Sequence, residues 1–157
     1  MPLEIERKFV VIGDGWRASA DPGRYLRQGY VAHGEQGSVR VRIAGDKAWL
    51  TLKSGRAGIV RHEFEYDVPV ADAVEMLNRL CIGPIIEKIR YRVPHAGVVW
   101  EVDVFEGGAQ GLVVAEVELA SVHDAVILPA WAGEEVTDDP RFRNSAIALI
   151  AAPLIVA

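Results

Sequence analysis

Glu4-Ile5-Glu6-Arg7-Lys8, close to the start of the chain, is the stretch that decides the fold prediction. Side chains on a β-strand alternate between its two faces, so Glu4, Glu6 and Lys8 are expected to lie on one face. Two carboxylates beside an ammonium suit a site that holds a divalent cation and an anion together. Charged residues alternate with apolar ones in later strands as well, which indicates a protein that processes a polyanion.

The composition limits the class of protein. The chain has 157 residues, half of them hydrophobic, which is enough apolar material for one compact domain over residues 1–157. Its net charge of −5 argues against non-specific binding to nucleic acid. The single cysteine, Cys81, excludes an internal disulfide and a thiolate metal site. There is no signal-type segment or membrane-length apolar run, so we predict a cytoplasmic protein with neither a nucleic-acid nor a membrane partner.

Alternating segments separated by Gly and Pro predict eight strands with hairpin connections. Their expected bounds are 3–12, 25–33, 38–44, 48–53, 60–69, 85–94, 98–105 and 112–120. The spacing of apolar residues predicts a helix over residues 71–80. A last helix is expected from Pro140 or Arg141 to about Ala152, with Asp138 and Asp139 as candidate caps.

Each predicted strand has a charged face and an apolar face, and two architectures fit this pattern. Arg40 and Arg42 alternate with aliphatic residues, and so do Glu116 and Glu118. In a β-sandwich the charged face would lie in solvent, whereas in a closed barrel it would line the lumen. The nearly unbroken charge, with its sign sorted by strand, favours the barrel, because solvent faces normally include Ser, Thr, Asn and Gln.

The charged side chains form two ladders. Carboxylates two positions apart on a strand are separated by roughly 6.6 Å, and they repel by about 2.5 kcal/mol at an effective dielectric constant near 20. Several such pairs in one lumen require a cation, and hard ions such as Mg²⁺ or Mn²⁺ prefer carboxylate oxygens. The side chains assigned to the metal are Glu4, Glu6, Glu116 and Glu118. The side chains assigned to phosphates are Lys8, Arg40, Arg42, Lys53, Lys88 and Arg90.

In order and spacing, the motifs resemble the CYTH superfamily, also called triphosphate tunnel metalloenzymes, over nearly the whole chain. The resemblance begins with Glu-x-Glu-x-Lys at Glu4, Glu6 and Lys8. Its further segments are Gln28-Gly29-Tyr30, Val39-Arg40-Val41-Arg42, Leu50-Thr51-Leu52-Lys53, Arg61-His62-Glu63-Phe64-Glu65, Glu87-Lys88-Ile89-Arg90-Tyr91, Trp100-Glu101-Val102-Asp103-Val104-Phe105, Gly111-Leu112, Ala115-Glu116-Val117-Glu118-Leu119 and Gly133-Glu134-Glu135-Val136-Thr137.

The resemblance implies a mainly β, α+β fold: a closed eight-stranded antiparallel barrel with a charged lumen and a few flanking helices, including a C-terminal one. It also implies a metal-dependent hydrolase of triphosphates, most similar to inorganic triphosphatases that cleave tripolyphosphate to pyrophosphate and phosphate. A class IV type adenylate cyclase, a thiamine triphosphatase and a non-catalytic polyphosphate- or nucleotide-binding module stay open as alternatives. The side chains implied to line the lumen as catalytic or charge-balancing groups are Glu63, Glu65, Glu101 and Asp103, and Tyr30 is implied to gate the tunnel or contact the leaving group.

The expected reaction is in-line attack of water on a terminal phosphorus of a small triphosphate. A divalent metal would lower the pKa of that water, and the Arg and Lys side chains would stabilise charge on the phosphoryl oxygens. Arg141, Arg143 and Asn144 are expected to be solvated, with a position at one tunnel mouth as the alternative. The apolar outer strand faces are expected to be covered either by helices or by a second copy of the chain in a homodimer.

Overall fold

The computed structural model describes residues 3–55, 59–144, 146 and 147, and in these residues the chain forms nine β-strands and one α-helix. The strands are β1 (Leu3–Val11), β2 (Arg24–Gly34), β3 (Gly37–Ala44), β4 (Lys47–Ser54), β5 (Val60–Val68), β6 (Ile82–His95), β7 (Val98–Phe105), β8 (Val113–Glu118) and β9 (Ala132–Glu135). Helix α1 is Val70–Arg79, and short 3₁₀ turns lie at Gly15–Ser19, Gly107–Ala109 and Pro140–Phe142.

The first eight strands close into a barrel. Their order in the antiparallel sheet is β5-β4-β3-β2-β6-β7-β8-β1, and β1 pairs back with β5. The closing pairs include Leu3 with His62 and Ile5 with Val60. Closure removes the exposed edges of an open sheet. The predicted eight-stranded antiparallel barrel is therefore confirmed, and the sandwich alternative is wrong.

Strand β9 was not predicted, because Ala132–Glu135 is short and does not alternate in hydrophobicity. It pairs with the second half of β1, through Phe9 with Glu135 and Val11 with Ala132. The two strands approach each other closely, since a Cβ on Gly133 would lie 3.0 Å from the Val10 carbonyl oxygen and 2.8 Å from an Ile12 side-chain carbon. Glycine at this position lets the extra strand extend the barrel wall.

The apolar faces of the strands pack outside the barrel. Phe9, Trp100 and Val102 form one buried cluster, which the side chains of Trp16 and Trp131 cover from neighbouring loops. On another side, Ala73 and Leu77 of α1 pack on Val41 and Ala48. The predicted helix over residues 71–80 is confirmed within one residue at each end. Burying the apolar faces outside leaves the charged faces to line the lumen.

One end of the lumen is apolar. Phe105 pairs with Lys88, and Val114 pairs with Asp103, so these apolar residues share the inward face of their strands. They form a buried cluster with Tyr30 and Ile147. The cluster fills the part of the barrel interior next to Lys88 and Asp103, and the charged cavity lies in the remaining part.

The predicted C-terminal helix is only partly within the described residues. Asp139 caps a 3₁₀ turn at Pro140–Phe142, where its carboxylate accepts a hydrogen bond from the Arg141 backbone N–H at 3.0 Å. Residues 144, 146 and 147 are helical, and the remainder of the predicted helix, residues 148–152, lies outside the described residues. In the part of the chain that is described, no helix is both long and apolar enough to cross a membrane.

Candidate active site

The barrel encloses a central cavity of about 170 Å³ whose walls are almost entirely polar. At 10–15 Å³ for a single water, this volume holds on the order of ten waters. Seven basic and seven acidic side chains line it, so the cavity is balanced in formal charge although the whole chain is acidic. The lining residues are Glu4, Glu6, Lys8, Tyr30, Ser38, Arg40, Arg42, Lys53, Arg61, Glu63, Glu65, Arg90, Glu101, Glu116, Glu118, Arg143 and Asn144.

The two signs of charge occupy opposite halves of the barrel. The neighbouring strands β5, β1, β8 and β7 contribute all seven acidic residues, whereas β4, β3 and β6 contribute most of the basic ones. Lys8 on β1 and Arg61 on β5 are the basic residues of the acidic half. In an eight-stranded ring each strand faces the one halfway round, so the glutamates of β8 lie across the lumen from the arginines of β3. An anion bound to one wall and a cation bound to the other would therefore meet in the middle.

Lysines on the walls are paired with glutamates. Lys53 Nζ lies 3.0 Å from Glu4 Oε2 and 3.3 Å from Glu63 Oε2. Lys8 Nζ lies 3.5 Å from Glu116 Oε1. Burial opposes the ionised form of Glu4, but Lys53 and a hydrogen bond from Glu63 together outweigh this effect and lower the pKa of the carboxyl. These pairs hold the side chains in extended positions around the cavity.

Glu6 and Glu116 are adjacent on β1 and β8 but differ in protonation. Burial, followed by repulsion from Glu116 and Glu4, raises the pKa of Glu6 from 4.5 to about 8. Burial also disfavours ionised Glu116, but Lys8 and Arg90 overcome it and hold that pKa well below its usual range. At neutral pH Glu6 therefore keeps its proton, because burial and the two neighbouring carboxylates outweigh the attraction of Lys53 and Lys8.

The arginines carry donors that the protein does not satisfy. Arg42 Nε donates to the neutral amide oxygen of Gln28 at 2.8 Å, and no carboxylate bonds to Arg42 among the described residues. Burial, followed by repulsion from Arg40 and Arg90, lowers the pKa of Arg42 to about 9, so it remains charged at neutral pH. The buried Nε atoms of Arg40, Arg61 and Arg143 have no hydrogen-bond partner among the described residues. Such donors are expensive to bury, and an anion bound by the same guanidinium groups would offset part of that cost.

Lys88 and Asp103 do not line the cavity, which corrects the prediction that both face the open lumen. Lys88 is fully buried and lies 2.7 Å from Asp103 Oδ2, and Asp103 is 1% exposed. Asp103 also accepts hydrogen bonds from Arg90 Nε and Nη2 at 2.7 and 2.8 Å. The pair lies inside the barrel but outside the cavity, next to the apolar residues Phe105 and Val114. Asp103 thus fixes Arg90, which does line the cavity.

The other predicted site residues come together in the cavity as the alternation indicated. They are Glu4, Glu6, Lys8, Tyr30, Arg40, Arg42, Lys53, Glu63, Glu65, Arg90, Glu101, Glu116 and Glu118. Tyr30 is buried, and Glu65 and Glu118 are the exposed members at the rim.

Sequence reasoning missed several lining residues. Ser38 and Arg61 continue the alternation of β3 and β5, so the pattern contained a signal for them. Arg143 and Asn144 follow the last 3₁₀ turn, and their position depends on the tertiary structure. The backbone of this turn is bound by a lysine of the site, because Lys8 Nζ donates to the Phe142 carbonyl at 2.9 Å. Arg143 and Asn144 therefore line the cavity, as the alternative expected, whereas Arg141 is exposed to solvent, as first expected.

The side chains of the acidic half are of the type that binds a hard divalent cation, but their positions do not form a complete metal site. Its donors are carboxylate oxygens, and repulsion from Glu116 and Glu4 contributes to the raised pKa of Glu6, so a divalent cation among them would be stabilising. Within the described residues, however, no three carboxylates or other ligating side chains converge on one point. Small rotations of the glutamates would be needed to complete a metal site.

The fold and the cavity together define a tunnel protein: a closed antiparallel barrel with a basic and an acidic wall around an enclosed anion site. The CYTH domain matches residues 2–147. The chain therefore belongs to the CYTH family, and this family of triphosphate tunnel metalloenzymes implies a divalent metal.

Two similar proteins from other organisms have the same name. An inorganic triphosphatase from Acetivibrio thermocellus is 48% identical over 145 residues, which is 92% of this chain and 92% of that protein. An inorganic triphosphatase from Nitrosomonas europaea is 41% identical over 153 residues, 93% of this chain and 97% of that protein. A crystal structure of an inorganic triphosphatase superposes with a TM-score of 0.65 at 38% identity and covers 92% of this chain and 97% of that one.

Proposed function

We propose that this chain is a metal-dependent inorganic triphosphatase, which hydrolyses tripolyphosphate to pyrophosphate and phosphate. The observation that best supports this proposal is the composition of the cavity wall. Tyr30 is its only aromatic residue and no aliphatic side chain lines it in the described part of the chain. A ligand held there is bound through charge and hydrogen bonds alone, which suits a substrate that is anionic along its whole length. The name of the relatives supports the same conclusion.

The basic wall would bind and orient the substrate. Arg40 and Arg42 lie side by side on β3, and Lys53 and Arg90 line the same cavity from β4 and β6. Guanidinium groups bind phosphate oxygens through pairs of parallel hydrogen bonds. Because burial and repulsion from Arg40 and Arg90 destabilise the charged form of Arg42, an anion bound beside it would stabilise that charge. The same charges stabilise the oxygens of the transferred phosphoryl group.

The acidic wall would hold the metal, and we propose Mg²⁺ or Mn²⁺. Glu4, Glu6, Glu116 and Glu118 supply hard oxygen ligands on the adjacent strands β1 and β8. When bound, the ion would lower the pKa of water and neutralise phosphate charge. Glu6 must lose its proton to serve as a ligand, since only the ionised carboxylate binds metal well.

The remaining carboxylates are candidates for orienting water. Glu63, Glu65 and Glu101 line the cavity, and we propose that one of them accepts a hydrogen bond from the attacking water. Tyr30 would contact the leaving group through its hydroxyl. Lys88 and Asp103 would act indirectly: Asp103 holds Arg90 in position through two hydrogen bonds, and Lys88 binds Asp103.

A phosphate-release screen tests the proposal. The purified chain is incubated with tripolyphosphate, thiamine triphosphate, ATP or pyrophosphate, each with Mg²⁺, Mn²⁺ or EDTA, and cyclic AMP is measured in the ATP samples. We expect metal-dependent release from tripolyphosphate above all others. Arg42→Gln should reduce it, whereas Arg79→Gln on the exposed side of α1 should not. Preference for pyrophosphate, or turnover in EDTA, would contradict the proposal, and cyclic AMP formation would favour the cyclase.

A further inference from the structure

Thr51 is a buried residue of β4 whose hydroxyl joins two charged side chains of the cavity wall. It pairs directly with Arg40 of β3 on one side and with Glu65 of β5 on the other, so the three side chains form a row on the inward face of the sheet. Arg40 and Glu65 line the cavity, whereas Thr51 is 1% exposed and does not line it. Thr51 can therefore act on a bound ligand only through its two neighbours.

The orientation of the Thr51 hydroxyl is determined by these neighbours. Thr51 Oγ1 lies 3.3 Å from Arg40 Nη2 and 3.0 Å from Glu65 Oε2. A guanidinium has only donors and a carboxylate has only acceptors, so the hydroxyl accepts from Arg40 and donates to Glu65. The oxygen is also held in place, because χ1 of a β-branched side chain is restricted. A single hydroxyl thus orients both charged groups.

The bridge separates Arg40 from Glu65. Arg40 Nη2 lies 3.9 Å from Glu65 Oε2, which is beyond hydrogen-bond distance. Arg90, by contrast, donates two hydrogen bonds to the carboxylate of Asp103, at 2.7 and 2.8 Å. Arg90 is therefore paired with an anion of the protein itself, whereas the hydrogen bond of Arg40 goes to a neutral oxygen.

The second arginine of β3 is held in the same way as Arg40. Arg42 Nε donates to the neutral amide oxygen of Gln28 at 2.8 Å. A neutral acceptor fixes the direction of a guanidinium without cancelling its charge. Because hydrogen bonds between ionised groups are stronger than those to neutral ones, an arginine held in this way gains more from a phosphate than one already paired with a carboxylate.

We propose that Thr51 is a positioning residue of the active site. Its hydroxyl holds the Arg40 guanidinium in place for a phosphate group and holds the Glu65 carboxylate away from it. This inference rests on the proposed function, in which Arg40 binds the triphosphate. Without the hydroxyl, Arg40 loses a neutral partner, and the carboxylate 3.9 Å away is left as an acceptor that competes with the substrate.

The test is the dissociation constant of tripolyphosphate, measured by isothermal titration calorimetry in EDTA so that neither metal binding nor turnover contributes. Thr51→Val removes the hydroxyl at nearly constant shape, and the dissociation constant should rise about tenfold, the effect of one hydrogen bond to a charged group. Thr51→Ser keeps the hydroxyl and removes a methyl group, and it should stay within about twofold of wild type. Ser54→Ala removes a hydroxyl from the opposite face of the same strand, outside the cavity, and should leave the constant unchanged.

A double-mutant cycle with Glu65→Gln tests the competition for Arg40. When Glu65→Gln is also present, Thr51→Val should raise the dissociation constant less than about threefold, because the competing carboxylate is gone. An equal rise with and without Glu65→Gln, an equal effect of Thr51→Ser and Thr51→Val, or no effect of Thr51→Val would overturn the proposal. Absence of binding by the wild type in EDTA would overturn it as well, since Arg40 would then not be available to an anion.

Steady-state kinetics separates positioning from a general loss of structure. With Mg²⁺, Thr51→Val should raise KM for tripolyphosphate about tenfold and keep kcat within about twofold, as expected when binding to substrate and transition state is lost equally. A fall in kcat at unchanged KM would contradict the role assigned to Thr51. Failure of the proposed function is separate, since it would show as absent phosphate release by the wild type with Mg²⁺ or Mn²⁺, whereas the calorimetric comparison does not depend on turnover.

Discussion

Replacing Glu6 with Gln should stabilise the metal-free protein, and the gain should grow with pH. Glu6 is buried beside Glu4 and Glu116, and its pKa is raised from 4.5 to about 8. Between these two pH values the folded chain keeps a proton that the unfolded chain has released, so the free energy of unfolding falls as the pH rises. Gln is neutral throughout and avoids this loss.

The raised pKa sets the size of the effect. At ~1.4 kcal/mol for each pH unit between 4.5 and 8, wild type loses as much as ~5 kcal/mol relative to Glu6→Gln at pH 8 and above. Below pH 4.5 both side chains are neutral and the two proteins should be equally stable. The measurement is urea unfolding followed by tryptophan fluorescence at pH 5 and pH 8.5, with EDTA present.

Glu4→Gln is the matched control, because Glu4 lies two residues away on the same face of β1. Its pKa is lowered, because Lys53 and a hydrogen bond from Glu63 together outweigh burial, and Lys53 Nζ lies 3.0 Å from its carboxylate. Removing this charge should destabilise the fold above pH 4.5, and the loss should vanish as the pH falls through the lowered pKa. The two neighbouring substitutions should therefore have opposite signs at pH 8.5. Equal pH dependence in wild type and Glu6→Gln, or the same sign for both variants, would refute this account of the acidic wall.

Further predictions concern single contacts of the site. Glu116→Gln should reduce metal-dependent phosphate release by on the order of 100-fold, because the metal loses its best-ionised ligand; wild-type turnover in the folded variant would exclude Glu116 from the site. Gln28→Glu should place a carboxylate beside Arg42 and raise KM for tripolyphosphate about tenfold, while Gln28→Met should raise it less; steady-state kinetics with an unchanged KM in Gln28→Glu would show that Arg42 is not a substrate contact. Asp103→Asn should lower the free energy of unfolding by about 3–5 kcal/mol, because it leaves Lys88 buried without its anion; a urea midpoint equal to that of wild type would mean that Lys88 is neutral in the fold.

The alternation along the strands made much of the site predictable. On β3 and β8, for example, a charged residue at every second position could face only one side of the sheet, so Arg40, Arg42, Glu116 and Glu118 had to share their faces with other charges. The same period placed the apolar residues on the opposite face. Periodicity defines the face of a strand and is a local property of the chain, which is why it can be read without coordinates.

The partners of each charge were not predictable in this way. Lys88 and Arg90 have the same pattern in the sequence, yet Arg90 lines the cavity whereas Lys88 is buried behind it against Asp103. The difference arises from depth along the tunnel, where Phe105 and Val114 close one end. Depth depends on strand register and tilt, which involve pairs of residues far apart in the sequence.

The sequence by itself determined that this protein has strands with one charged face, and that the charges are sorted by sign. Only the tertiary structure decided that β1 closes on β5, that the acidic strands stand together opposite the basic ones, and that Arg61 and Arg143 line the same cavity. The physical reason is that the direction of a side chain follows from the local backbone geometry, whereas its neighbours across a barrel follow from how distant strands pair.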